Sequence, residues 1–459
     1  MYEILRPMRR GSLIAVVLLA AALAGAAPAA GSAGAPLRTG CDGKRPAAAY
    51  RPGGGAMRPQ PRHRPVPCLL TVPGRASESA TVEVTRRGRL LYAPLAMNSD
   101  PAPLDDRGPA VVTASDDRGR HWRILDSGGS DHILDVPPWM SKDPQTGRIW
   151  FASVLPMLCG AEVSWSDDDG RTWRTNPAVG CPGMGSMRML EGPAPPGGAR
   201  PAGYRHVVYY CANLSDLSNS NLWCYRSLDG GQSYAFTGAF PDPPPTPDCN
   251  AKHPARPGTV GPDGVLYFPV YTCGDLSVAI SRDEGATWRY VHVAQTDVQD
   301  LYITSLTADR AGNLYLAWIA GPQGRPLLSI SRDHGQGWSK PLPIAPPGVR
   351  NGHHIAIVAA GRGHVAVSYL ANRDGSANLS GYLSETKNAL NLRPIWWGAP
   401  LNAPRQPLIS TKDSETFGDR LFFFTDSFAP NGEPWAAFHC AKTSACPGRR
   451  IGVVGRLRR

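Results

Sequence analysis

The chain has 459 residues, 42% of them hydrophobic, and a formal net charge of +11. Gly (50) and Pro (46) make up about a fifth of it, which suits many short strands joined by turns and suits long helices poorly. Residues 1–66 carry a net +8 and residues 449–459 a net +5, so the body between them is −2 and offers no basic folded face for nucleic acid.

The N-terminus reads as an export signal. Arg6, Arg9 and Arg10 precede an apolar run from Leu13 to Ala24, and Ala24-Gly25-Ala26 fits a small-residue cleavage site. The run is too short to span a bilayer comfortably, and no later segment is long and apolar enough to do so. The expectation is therefore a signal peptide over 1–26, secretion, and no stable membrane insertion after cleavage. Residues 27–66, rich in Pro, Gly, Ala and Arg, read as a disordered linker. The remaining 67–459 form the folded domain.

Within that domain a repeat of about fifty residues stands out. Five segments share the pattern Ser-x-Asp-x-Gly-x-x-aromatic: Ser115–Trp122, Ser166–Trp173, Ser227–Tyr234, Ser281–Trp288 and Ser331–Trp338. Their starts lie 51, 61, 54 and 50 residues apart, the length of one four-stranded propeller blade. The residue types have a physical reason. Ser and Asp side chains bond to the backbone of their own turn, Gly takes a left-handed conformation, and the aromatic packs under the turn as the next strand begins. A Gly-led turn into a β-rich strand precedes most copies, as in Gly88–Ala93, Gly147–Ala152, Gly264–Phe268 and Gly312–Trp318.

The fifth repeat predicts strands near 302–307, 314–319, 327–331 and 338–343. This places the A–B turn and the repeat turn at one end of the blade, and the D–A and B–C loops at the other. Two further blades lack the motif. The sixth runs from His354 to Trp397, and its Ser384–Asn388 turn has lost the Asp and Gly. The seventh has strands near 421–425, 434–439 and 451–457, and ends one strand short. Cys68–Val72 is expected to supply the missing strand as a clasp that removes exposed sheet edges. The reading is an all-β, four-stranded-blade β-propeller with seven blades, six being the alternative count. Ten cysteines in an exported chain predict disulfides. Neighbour pairing gives Cys41–Cys68, Cys159–Cys181, Cys211–Cys224, Cys249–Cys273 and Cys440–Cys446.

The five repeats resemble the Asp boxes (BNR repeats) of the sialidase-like superfamily of propellers. Asp135–Trp139 with Asp143–Gly147, and Phe417–Arg420, are also similar to secreted members of it. The resemblance implies that the boxes are structural turns on the face opposite the ligand. It places any site over the central channel, on the D–A and B–C loops, with a glycan or another polar extracellular ligand as partner.

A sialidase needs three arginines for the substrate carboxylate, a Tyr activated by Glu as nucleophile, and an Asp as acid/base. Arg75 and Asp100 resemble the family's first arginine and acid/base Asp, and Arg350, Arg373 and Arg420 are further clamp candidates. Asp135 joins them as a substrate-binding candidate. The chain departs from the pattern elsewhere. Arg75 sits in Pro-Gly-Arg-Ala, and no Tyr follows Tyr382, so Tyr302 or Tyr369 would have to serve as nucleophile. Two alternatives stay open. One is another glycoside hydrolase or lyase, using Asp100 with Asp297, Asp300 or Asp419. The other is a non-catalytic glycan- or protein-binding module. No pattern calls for a cofactor or metal. The Asp-rich turn Ser166–Gly170 is the repeat motif itself, and His353 and His354, adjacent on a strand, should face opposite ways.

Overall fold

The computed structural model describes residues 37, 41, 44–72, 80–94, 112–125, 139–154, 161–179, 188–213, 222–240, 258–272, 274–297, 304–403, 405–412 and 425–459. Within Gly34–Arg459 the strands form seven antiparallel sheets. Blade 1 is Ala80–Val84, Leu90–Pro94, Thr113–Ser115 and Arg123–Ile124. Blade 2 is Trp139–Lys142, Ile149–Val154, Ala161–Ser166 and Arg174–Val179. Blade 3 is Arg188–Gly192, Val207–Asn213, Leu222–Ser227 and Ala235–Phe240. Blade 4 is Thr259–Val260, Leu266–Thr272, Asp275–Ser281 and Arg289–Gln295. Blade 5 is Thr304–Ala308, Leu314–Ala320, Arg325–Ser331 and Leu342–Pro343. Blade 6 is Arg350–Ala359, Val365–Asn372, Asn378–Thr386 and Trp396–Pro400. Blade 7 is Asp426–Phe428, Pro434–Thr443 and Cys446–Arg458, completed by Val66–Val72. The first strand of each blade touches the first strand of the next, and blade 7 touches blade 1, so the ring closes with seven blades.

The clasp is as expected: Val66–Val72 pairs antiparallel with Cys446–Arg458, Leu69 opposite Gly455. The linker expectation differs from what is found. Ala48–Tyr50 pairs with Trp396–Trp397–Gly398 as an extra outer strand of blade 6. Tyr50 is fully buried there, and its hydroxyl donates to Ile344 O (2.5 Å) and reaches Ser384 Oγ (3.1 Å). One buried aromatic anchors a stretch whose composition reads as unstructured. Cys41–Cys68, Cys211–Cys224 and Cys440–Cys446 are bonded. Both members of the other two expected pairs lie outside the described residues. The last blade's first strand is Asp426–Phe428, just after the stretch expected, of which 421–424 also lie outside the description.

The five repeat turns share one hydrogen-bond set. The Ser hydroxyl donates to the Asp carboxylate at 2.8–2.9 Å and accepts from the Gly N–H at 2.8–2.9 Å. The Asp then accepts from the backbone N–H four residues beyond itself, at His121, Thr172, Ser233, Thr287 and Gly337, each 2.9 Å. Trp122, Trp173 and Trp288 fold under and donate to the Gly carbonyl at 3.0–3.2 Å. Sequence reasoning assigned the left-handed conformation to the Gly alone. The preceding residue shares it: φ is 62° at Arg118, 61° at Asp169, 73° at Gly230, 61° at Glu284 and 57° at His334. Two successive left-handed residues make the tight turn that suits the twist of a hairpin. Blade 6 keeps a degenerate version. Thr386 Oγ1 bonds Asn388 Oδ1 (2.8 Å), so Thr-x-Asn stands in for Ser-x-Asp.

Candidate functional site

The first strands of the blades surround a central cavity of about 990 Å³. Their wall mixes apolar residues, among them Met140, Leu190, Val260, Leu306 and Ile357, with ionisable groups. Lys142 is the hub. Its Nζ lies 3.5 Å from Glu83 Oε2 and donates to Val84 O (2.5 Å), Ser427 Oγ (3.2 Å) and Phe428 O (3.4 Å). Ser427 also donates to Glu83 Oε2 (2.7 Å). Burial raises the Glu83 carboxyl above its ordinary range, opposed first by the Lys142 charge. Glu191, bonded by Ser141 Oγ at 3.3 Å, is raised well above its ordinary range, by burial first and then by the carboxylates of Asp143 and Glu83. Asp426 is likewise raised by burial, although Ser368 N (3.0 Å) and Oγ (2.5 Å) both bond it. Burial favours the protonated form of all three carboxyls, and Lys142 opposes it at Glu83.

At the A–B turn end the cavity is rimmed by Arg86, Gln145, Arg205, His206 and Arg310. Asp143 is fully buried and takes bonds from His206 Nδ1 and Tyr204 OH, both at 2.6 Å, and from Gln145 N and Thr146 N. Burial works against its ionised form, but these bonds outweigh it and hold the carboxyl down at about 2. His206 Nε2 is in turn satisfied by Gln145 Oε1 (3.1 Å), so the dyad locks a turn and presents no free nitrogen.

The opposite end carries the D–A and B–C loops, where the site was expected. Arg350 opens the first strand of blade 6, opposite Asn372, and Arg373 follows Asn372 in the adjoining loop. Both are exposed. The Arg350 guanidinium lies over Gly375, and its charge helps hold the Asp374 carboxyl low, after bonds from Ser376. Arg373 bonds the Tyr382 phenol, opposing the rise that burial causes there. The structure thus brings two of the expected arginines together. Arg75, Asp100, Asp135, Asp300, Tyr302, Asp419 and Arg420 lie outside the described residues.

The backbone beside this pair is irregular. The register of the first strand of blade 6 shifts between Arg350 and His353 and again between His353 and Ile355. Asn351 and His354 adopt φ of 53° and 47°, left-handed values that non-glycine residues take at a cost of about 1–3 kcal/mol. Such bulges re-aim side chains next to binding sites. They also break the strict alternation expected of His353 and His354, whose ring centroids are 6.4 Å apart. His354 is buried, and burial, then His353 and His439, push its imidazole well below its ordinary range. Asn351 N donates to Gln323 O and Gly352 N to Gly324 O, both at 2.7 Å, which laces the bulge to blade 5.

Tyr369 does not fit the nucleophile role considered for it. It is fully buried, stacked on Tyr382 with centroids 5.6 Å apart, and its hydroxyl sits 3.1 Å from Ser384 Oγ, facing the blade interior rather than the channel. Sequence reasoning missed Glu83, Lys142, Glu191 and Asp426. Each is a charged residue in a short strand, a pattern that equally marks a solvent-facing side.

No family model matches the chain, and no curated protein is similar to it. Several solved structures are similar to the chain at low identity. The K499G mutant of NanB sialidase from Streptococcus pneumoniae is 15% identical, covering 85% of this chain and 70% of that one, with a TM-score of 0.44. Virginiamycin B lyase from Staphylococcus aureus is 10% identical over 84% and 98%, TM-score 0.45. The six-bladed, fucose-recognising lectin of Aleuria aurantia is 13% identical over 73% and 99%, TM-score 0.40.

Proposed function

We propose that the protein is a secreted, sialidase-like Asp-box propeller that holds an acidic glycan at the loop end of its channel. The observation that carries this reading is that Arg350 and Arg373 are both exposed on adjoining segments, next to the doubly bulged, left-handed start of the blade 6 inner strand. Planar guanidinium groups suit a sugar carboxylate, which they grip through two parallel bonds. The export signature and the three disulfides support an extracellular setting. In this reading Arg75, Asp135 and Arg420 complete the carboxylate and hydroxyl contacts. Asp100, Asp300 and Asp419, with Tyr302, are the groups to test for acid–base or nucleophilic chemistry.

A glycan array followed by titration of the best acidic hit tests it. Arg350→Ala and Arg373→Ala should each weaken binding roughly tenfold or more, since a hydrogen bond to a charged group contributes about 1.5–3 kcal/mol. Unchanged affinity in both variants removes the proposal. A panel of aryl glycosides, sialosides included, separates the two modes: turnover lost in Asp100→Asn marks a hydrolase, and saturable binding without turnover marks a binding module.

A further inference from the structure

The repeat turns are tied to the blade before them through their left-handed residue, and one turn breaks the rule. Asp169 of blade 2 lies 3.5 Å from Arg87 of blade 1, and its carbonyl accepts from Arg89 (3.1 Å). The Gly230 carbonyl of blade 3 accepts from Arg148 of blade 2 (2.8 Å). Glu284 of blade 4 pairs with Arg226 of blade 3. His334 of blade 5 reaches Asp263 of blade 4 at 2.9 Å. In the first turn the left-handed residue is Arg118, exposed and with no hydrogen bond or ion pair among the described residues.

The reason lies in blade 7. In blades 1 and 2 an arginine follows the A–B turn glycine, Arg89 and Arg148, and pairs with an aspartate of its own blade, Asp116 and Asp167, at 2.6 Å. In blade 7 the charges are reversed: Glu433 follows Gly432, and Arg456 Nη1 donates to it at 2.6 Å. Glu433 is thereby occupied, and it has no donor to offer the next blade. The join between blades 7 and 1 is left with a cleft of about 230 Å³, floored by Trp435 and edged by Arg118, Arg456, Arg86 and Arg87. Arg456 is 7% exposed, its guanidinium packs over Trp435 at 4.8 Å, and its Nε is buried without an acceptor. A buried guanidinium with an unused donor, next to an unpaired one and against a single carboxylate, is a charge excess that calls for an anion from outside.

We propose that this cleft, on the face opposite the loop end, binds an oxyanion of sulfate or phosphate type, free or as an ester on a sugar. The test is calorimetric titration of the full chain with sodium sulfate and with sodium phosphate in chloride buffer at fixed ionic strength. It is repeated in an Arg350→Ala/Arg373→Ala background, so that binding at the loop end is counted separately. Arg118→Glu should weaken the site roughly tenfold or more, as expected for loss of a charge-assisted bond. Glutamate is sterically suited to that turn, since Glu284 holds the same left-handed position in blade 4. Glu433→Gln, which keeps an acceptor for Arg456 and removes the competing charge, should tighten the site. Titration with 6-O-sulfo-N-acetylglucosamine and its unsulfated parent then identifies the source: tighter binding of the ester than of free sulfate assigns a sulfated sugar, and equal affinity assigns the free ion. Absence of binding in the wild-type chain, or equal affinity in wild type, Arg118→Glu and Glu433→Gln, overturns the proposal.

Discussion

Replacing Lys142 by Met removes the ammonium that faces Glu83 in the channel. Its side chain is 17% exposed and that of Glu83 12%, so the pair is largely shielded from solvent. Breaking a buried pair by deleting one partner typically costs about 3–5 kcal/mol, because the other charge is left uncompensated. Val84 O also loses its 2.5 Å donor. At roughly 2 °C per kcal/mol for a domain above 200 residues, the melting temperature near pH 7.5 should fall by about 6–10 °C. The pH dependence separates electrostatics from packing. The Glu83 carboxyl is already raised by burial, with Lys142 the largest opposing influence, so the variant raises it further. An acid raised in the folded state stabilises while protonated and loses that contribution as pH rises through its folded value. The deficit of Lys142→Met should therefore shrink near pH 5 and grow towards pH 8. The Lys142→Met/Glu83→Gln double variant should recover most of the loss. Scanning calorimetry at three pH values measures all of this. A deficit that is the same at pH 5 and pH 8, or a double variant worse than the single one, would refute the reasoning.

Three further outcomes follow from the same structure. Ser166→Ala leaves the buried Gly170 N–H without its 2.8 Å acceptor and should cost about 1–3 kcal/mol, read as a shifted urea midpoint; no shift would mean that the turn is held by its Asp alone. Tyr50→Phe deletes the bonds to Ile344 O and Ser384 and should cost about 1 kcal/mol, whereas Tyr50→Ala, which empties the anchor site, should cost about 3–5 kcal/mol; equal losses would show that the hydroxyl, not the ring, holds the strand. Asp426→Asn keeps an acceptor for Ser368 N and removes a carboxyl that burial raises well above its ordinary range. Because that acid loses its favourable contribution as pH rises, the variant should match wild type near pH 4 and exceed it near pH 8; a variant that is less stable at pH 8 contradicts the assignment.

The blade plan was legible because its signals repeat. One Ser-x-Asp-x-Gly turn says little, but five in register fix the end of every blade on which they fall. The clasp followed from counting, since a last blade one strand short and a Leu-Leu-Thr-Val run far upstream complete each other. Ala48–Tyr50 escaped for the converse reason. Its pairing depends on a single tyrosine meeting a pocket made by blades 5 and 6, and nothing local in the sequence announces a partner some 350 residues away. The degenerate turn of blade 6 was visible in principle, because Thr-x-Asn offers the same hydroxyl and carbonyl oxygen as Ser-x-Asp. At the site, topology alone put Arg350 and Arg373 at one end of one blade. It could not foresee the double bulge, since alternation assumes a regular strand, and two left-handed residues cancel that assumption. The channel carboxyls were hidden by the same rule in reverse: Glu83 in Thr-Val-Glu-Val looks like an outward residue until seven inner strands turn that side into a shared cavity.

The join between blades 7 and 1 differs from every other in how it is held. Neighbouring blades elsewhere follow one another along the chain, whereas blade 7 is finished by Val66–Val72 from the other end of the domain. The cross-blade arginine found after blades 1 and 2 is replaced there by Glu433. On the channel side the compensation is visible. Val82 N and Val84 N of blade 1 donate to Thr425 Oγ1 (2.8 Å) and Ser427 Oγ (3.1 Å) at blade 7, and Lys142 of blade 2 bonds to both blades at once. The join is therefore bonded on the channel side, and the arginine cleft lies at its A–B turn end. Loosening the inner bonds should free the clasp before the rest of the fold, because blade 7 is the blade assembled from strands at both ends of the domain. In Lys142→Met, hydrogen exchange of the amides in Val66–Val72 and Cys446–Arg458 should accelerate well ahead of those in blades 3 and 4. Uniform acceleration across all seven blades would show instead that the ring yields as one unit.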